Sequence, residues 1–409
     1  MSTNDPAARL LTAVYEGDED AVVRLLRSGA SPESADTEGE TALYLAAVSD
    51  RPDVVRLLLA AGADPDRLSQ GTDAPLCGAA CGGHTEVVRA LLAAGASPDR
   101  VEGFGFTALT WAVQRGRAAV VAELLAAGAD PDRPGPTGEP PIVAAARRGS
   151  PGCVRALLRR GARERSAALA EAHRWLSVDV EAALRAGLEQ TYGPGHPSAV
   201  HRYPEDGGVT VEVQLLDPAG HPVSGDDQQT GHAAIATLLE TSLGIAAPAP
   251  ELAARALRRA DPADDDWTEA AAALGLRGDE DTFRAAVLWC RGTDPLRQAF
   301  GADVLGRSRT PRGRQVLREL ARESEQPVVA RAAVVALGRR ADAAALPEVL
   351  RHARHPQAAV RAAVADALAR LLPAGHPEGV ERLRALAEDH DAEVRARAAH
   401  ALTVLRGKS

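Results

Sequence analysis

The chain has 409 residues, a formal charge of −9 and 45% apolar residues, a globular composition with room for two or three domains and not that of a disordered chain. Aromatics make up only 3% and methionine occurs once, so the core must be aliphatic, and Ala, Leu and Val in this proportion favour helices. Four cysteines rule out a dense disulfide framework, and with no apolar run after Met1 and no stretch of about 18 apolar residues, neither a signal peptide nor a membrane span is expected, which points to the cytoplasm.

From the N-terminus, the chain is periodic. Gly29, Gly62, Gly95, Gly128 and Gly161 recur every 33 residues, and Pro32, Pro65, Pro98 and Pro131 keep the same interval. So do Leu10, Leu43, Leu76, Leu109 and Ile142, and so do Gly17, Gly83, Gly116 and Gly149, with Asp50 in the missing slot. One period reads as two helices and an extended segment. Thr41 caps a short helix over 43–48, and a turn at 50–52 leads to a second helix over 54–61 whose Val54, Val55, Leu58 and Leu59 have helical spacing. Gly62 ends that helix, and Asp64-Pro65-Asp66 turns the chain outward.

These units, with Thr41-Ala42-Leu43-Tyr44-Leu45-Ala46-Ala47, Val54-Val55-Arg56-Leu57-Leu58 and Gly62-Ala63-Asp64, resemble the ankyrin repeat over about residues 6–165, as five repeats. A shortened unit over 169–187 reads as a degenerate closing repeat. The usual His of the family pattern is replaced by Tyr44, Cys77, Thr110 and Val143, and the resemblance then implies a looser tie between neighbours. It also implies that a partner would touch hairpin tips and inner helices. Phe104-Gly105-Phe106 stands where an earlier repeat has Glu38-Gly39-Glu40, so Phe104 and Phe106 are candidate partner contacts, with local packing over the hairpin as the alternative. Trp111 aligns with Leu45 and reads as packing. Tyr44, Gln114, Arg115 and Arg117 are candidate inner-surface contacts.

Residues 188–230 break the period. Gly193, Pro194, Gly195 and Pro197 mark a loop, Val209–Leu216 alternates as a strand, Asp217-Pro218-Ala219-Gly220 is a turn, and His221-Pro222-Val223 begins a return strand. A β-hairpin insert is expected, followed by a helix over 231–244. His196, His201, His221 and His232, with Asp226 and Asp227, have no recognised ligand spacing, so neither metal, cofactor nor catalytic residue is assigned. A deep polar pocket at the insert, lined by His201, Tyr203 and His232, would instead favour an enzyme.

The last part is helical, with Leu305, Leu337, Leu368 and Leu402 spaced by 32, 31 and 34 residues at the ends of Ala-rich helices. His355-Pro356-Gln357-Ala358-Ala359-Val360-Arg361 and His390-Asp391-Ala392-Glu393-Val394-Arg395 resemble the HEAT-like repeats also found in bilin lyases, over about residues 250–405. Some HEAT-like proteins are lyases or glycosylases and most bind protein; no residue set here matches a lyase or glycosylase site. From Gly301 onward, 19 basic residues stand against 13 acidic ones, so this part is near +6 and the remainder near −15. Arg331, Arg361, Arg395 and Arg397 form a candidate face for an anionic partner, with a solvated or internally paired surface as the alternative.

The expected fold is mainly α: an ankyrin-repeat domain over 1–187, a linker with hairpin and helix over 188–250, and a HEAT-like domain over 251–409. That order resembles actinobacterial ankyrin–HEAT proteins. The expected function is a non-catalytic scaffold for a protein partner, with nucleic-acid binding or a HEAT-like lyase or glycosylase activity as alternatives.

Overall fold

Each 33-residue period folds into the helix pair that its residues dictate. The pairs are α1 (Pro6–Glu16) with α2 (Glu19–Arg27), α3 (Ala42–Val48) with α4 (Pro52–Ala60), α5 (Pro75–Gly82) with α6 (Thr85–Ala93), α7 (Ala108–Gln114) with α8 (Ala118–Ala126), and α9 (Pro141–Arg148) with α10 (Pro151–Arg159). Thr41 caps α3 as its position suggests, its hydroxyl accepting from the Tyr44 amide at 3.2 Å. The structure, a computed structural model, describes residues 5–205, 208–308, 311–372 and 376–407. The chain divides into two units, Met1–Gly244 and Ile245–Ser409.

In the first unit the short helices α1, α3, α5, α7 and α9 stack as an inner row, and α2, α4, α6, α8 and α10 stack behind them. The core between the rows is aliphatic: Leu10, Leu43, Leu76, Leu109 and Ile142 are all buried. Neighbouring repeats are tied by a carboxylate that the sequence reading passed over. Glu33, Asp66, Asp99 and Asp132, each following a periodic proline, accept the backbone N–H of Asp64, Ser97, Asp130 and Arg163 in the next repeat at 2.6–3.1 Å. This ladder repeats at every junction and supplies the tie that the substituted histidines do not.

Beyond α10 the chain departs from a plain solenoid. The helix α11 (Arg165–Leu176) continues the inner row against α9. Next, α12 (Val180–Tyr192) packs on an antiparallel sheet of β1 (Ser198–Glu205), β2 (Gly208–Leu216) and β3 (Pro222–Gln229), in that order. Three strands stand where two were expected. The additional one, β1, is an edge strand whose Pro204 and exposed middle hide any alternation. One face of the sheet is apolar: Val211, Val213 and Leu215 are buried with Leu184 and Leu188 of α12. Finally α13 (His232–Leu243) returns to pack on α9, α10 and α11, and its Ile235, Ala236 and Leu239 join the core of the repeats.

The end of β3 meets the turns after α7 and α9 at very close range. Both turns use a left-handed glycine, Gly116 (φ 68°) and Gly149 (φ 74°). A Cβ on Gly116 would strike the Gln229 amide, and one on Gly149 would strike the Gln229 carbonyl. The Gly231 amide donates to the Gly149 carbonyl at 3.0 Å.

Among the described residues, the second unit comprises five helix pairs: α14 (Ala249–Ala256) with α15 (Asp265–Arg277), α16 (Glu280–Cys290) with α17 (Pro295–Arg307), α18 (Arg314–Glu323) with α19 (Pro327–Arg339), α20 (Leu346–Arg351) with α21 (Ala358–Leu371), and α22 (Pro377–Leu386) with α23 (Ala392–Arg406). Asp264 caps α15 by accepting from the Asp266 amide at 2.8 Å. The second helix of each pair packs on that of the next, with small residues at the crossings: Gly306 lies against Ala336, and Gly338 against Ala367.

Gly128 is also left-handed (φ 98°), but a Cβ there would meet nothing within 4 Å. Gly128→Ala is therefore expected to cost about 1–2 kcal/mol of conformational energy. Gly149→Ala carries the same cost plus about 1–3 kcal/mol of overpacking against β3. Urea unfolding followed by a probe in the first unit checks the order: Gly149→Ala should have the lower midpoint.

Candidate partner-binding cleft

The aromatic hairpin before α7 is held from within. The amides of Glu102 and Gly105 close it by donating to the carbonyls of Phe106 and Glu102, both at 3.0 Å. At the start of α7, Thr107 and Thr110 form a reciprocal capping box. Phe106 stacks on Trp111 with ring centroids 4.2 Å apart, and the Trp111 indole N–H donates to the buried Glu102 carboxylate at 2.6 Å. Burial raises the Glu102 pKa, which the Trp111 bond partly offsets. The two candidate phenylalanines therefore differ. Phe106 is half-buried, whereas Phe104 leaves the hairpin 62% exposed.

Phe106, Val113, Pro136, Pro141 and Ala144 give the apolar walls of a cavity of about 300 Å³. It adjoins a more polar cleft of about 470 Å³ between the ankyrin turns and the polar side of the sheet. Arg115 and Arg148, with Asp226 and Asp227, line both. The larger cleft also has Arg117 on the repeat side, and Tyr203, Glu205, Glu212 and Gln214 on the sheet side. Strand register accounts for the sheet wall: Glu212 stands opposite His201 in β1 and opposite Asp227 in β3.

Polar pairs fasten the two walls together. The Arg148 guanidinium donates to both the carboxylate and the carbonyl of Asp227. Arg117 donates to Glu205 at 3.2 Å, and Glu205 is further held by the Thr210 hydroxyl at 2.7 Å. The Gln228 amide donates to the Arg147 carbonyl at 2.7 Å. Arg147 itself pairs with Glu139.

Of the candidate inner-surface residues, Gln114 and Arg115 are exposed and line the cleft, while Arg117 is committed to the sheet. Tyr44 stands apart, packed against Gly78 of α5, where burial, with help from Asp73 and Glu40, pushes its hydroxyl pKa up to about 12. Arg148 was not among the sequence candidates, although it lies one 33-residue period after Arg115 and the following Gly149 one period after Gly116. That periodic match was the available signal.

The polar cleft includes Tyr203 but not the two histidines named with it. His201 is exposed on β1, and His232 is buried and stacked on Trp175 with centroids 5.2 Å apart. Among the described residues, no cluster of three or more His, Cys, Asp or Glu could hold a metal ion, and no helix is long and apolar enough to cross a membrane. Burial pushes the Cys77 thiol well above its usual range and the Cys290 thiol up to about 12, which keeps both protonated at neutral pH.

The four arginines of the second unit do not form one free face. Arg361 is buried, forks onto Asp389 with two bonds of 2.7 Å, and donates to the carbonyls of His355 and Pro356. Its guanidinium is spent inside the unit and cannot reach a phosphate or an acidic partner. Arg395 repeats part of the device at the same offsets, donating to the carbonyls of Asp389 and His390 at 2.9 and 3.0 Å. Arg397 bridges Asp366 and Glu393. Arg331 is exposed.

The Arg361 guanidinium, helped by the Asp391 amide, holds the Asp389 carboxyl down at about 2 against an ordinary 3.8. A carboxyl lowered on folding stabilises the folded state above its unfolded pKa, and that contribution fades as pH falls from about 4 toward 2. Asp389→Asn should therefore flatten the acid limb of the second unit's stability in that window. Asp389→Ala, which strands a buried guanidinium, should cost about 3–5 kcal/mol at neutral pH. Thermal melts between pH 2 and 7 check both.

Comparison with known families agrees with this architecture. The model for ankyrin repeats, of three copies, matches residues 10–102 and again 76–168, and the model for HEAT repeats matches residues 320–403. No curated protein matches the chain. The protein thus carries ankyrin repeats in its N-terminal part and HEAT repeats toward its C-terminus.

Proposed function

We propose that this protein is a non-catalytic scaffold that holds a partner protein in the cleft between its ankyrin repeats and its sheet. The observation that carries this reading is the cavity beside Phe106, with walls part apolar and part charged, together with the exposed Phe104 on the same hairpin and the charged cleft continuing from it. Exposed aromatics next to an apolar cavity with a polar surround have the composition of a protein-binding hot spot. Repeats that contact only their neighbours leave such an inner surface free to vary. Ankyrin and HEAT repeats generally serve protein interaction. The internal engagement of Arg361 and Arg397 weighs against a nucleic-acid face on the second unit.

Affinity capture from the source organism's lysate, followed by cross-linking mass spectrometry, tests the reading. A partner should cross-link to the hairpin over 101–107 and to the sheet over 203–227. Phe104→Ala with Phe106→Ala should then weaken that partner by about 2 kcal/mol or more, roughly thirtyfold. Capture of nucleic acid alone, released by salt and unchanged in the double variant, would contradict it.

A further inference from the structure

The charges along the cleft do not all cancel. On the repeat side Arg117 is paired with Glu205 and Arg148 with Asp227. Arg115, exposed on the same side, has no ion pair among the described residues. On the sheet side two carboxylates likewise lack a cation. Among the described residues, Glu212 accepts only the Gln214 amide at 2.7 Å, and Asp226, on the other face of the sheet opposite Val213, accepts only the backbone N–H of Asp227 at 2.9 Å. Arg115 and Asp226 line both cavities, so the unpaired cation and an unpaired anion stand where the apolar pocket opens into the polar cleft. They line the same space without bonding to each other.

Opposite charges held on two walls by a rigid scaffold are complemented by a ligand that brings both charges in the reverse order. We propose that the cleft selects a short peptide segment in which an apolar side chain adjoins one acidic and at least one basic side chain. The apolar residue fills the cavity beside Phe106. The acid faces Arg115, and the base faces Asp226. A purely acidic segment would meet Asp226 as a like charge, and a purely basic one would meet Arg115. This specificity rests on the scaffold reading of the same cleft.

A random peptide-display library selected on the full chain tests it, with the best binder then resynthesised and titrated by fluorescence anisotropy. The selected sequences should carry the apolar–acid–base combination. Arg115→Glu should weaken the peptide about tenfold, and replacing the peptide's acid by Lys should restore binding. Asp226→Lys should weaken it similarly, with rescue when the peptide's base becomes Glu. Both substituted side chains are exposed, so the fold should survive the changes. Peptides that lose binding with Phe106→Ala, yet bind both charge variants as well as the wild type, would overturn the charge specificity and leave the scaffold reading standing. Selection of no peptide at all would overturn both.

Discussion

The contact between the end of β3 and two glycine turns of the ankyrin stack decides what the first unit can do. Without a Cβ at Gly116 and Gly149, the Gln229 backbone and side chain come close enough for the Gly231 amide to bond the Gly149 carbonyl. That approach brings the sheet's polar side over Arg115, Arg117 and Arg148, and α13 then closes the stack by burying Ile235 and Leu239 in the repeat core. The contact has a cost: both polar atoms of the buried Gln229 side chain lack a hydrogen-bond partner among the described residues. A buried unsatisfied polar group is unfavourable by about 1–3 kcal/mol. The salt bridges Arg148–Asp227 and Arg117–Glu205, together with the Gln228–Arg147 bond, offset it.

Both units use charged side chains that reach backbone groups, between repeats in the first unit and within a repeat in the second. In the ankyrin stack a carboxylate after each periodic proline accepts an amide of the following repeat. In the second unit Arg361 and Arg395 donate to carbonyls five and six residues earlier, which fixes the turn ahead of each long helix. Hydrogen bonds with a charged member are the stronger kind, and used this way they leave the aliphatic core to supply the packing.

Much of the fold was legible because its signals are periodic. Glycine and proline at an interval of 33 mark helix ends and turns, and the leucine series marks the core, so both arrays could be read from one chain. The sheet was only partly legible. The alternation of β2 is visible because one face is buried on α12, whereas β1 is an exposed edge with no apolar face to betray it. Beside the cleft, the composition of the hairpin pointed to Phe104 and Phe106, and Arg115 was among the inner-surface candidates. The sheet wall was not legible, because Glu205 and Asp227 meet Arg117 and Arg148 only through tertiary docking across 88 and 79 residues of sequence. The same limit explains Arg361: a surface-like arginine in sequence is a buried structural one once Asp389 is folded against it.

A preformed cleft requires the sheet to be fastened to the ankyrin turns. A double-mutant cycle on Arg148→Ala and Asp227→Ala, read by urea unfolding of the first unit, measures that fastening directly. The structure predicts that the pair is coupled by about 1–3 kcal/mol, with the double variant little worse than either single one. Additive losses, with a coupling near zero, would mean that the two walls are not joined and that the cleft does not exist as a standing feature of the protein.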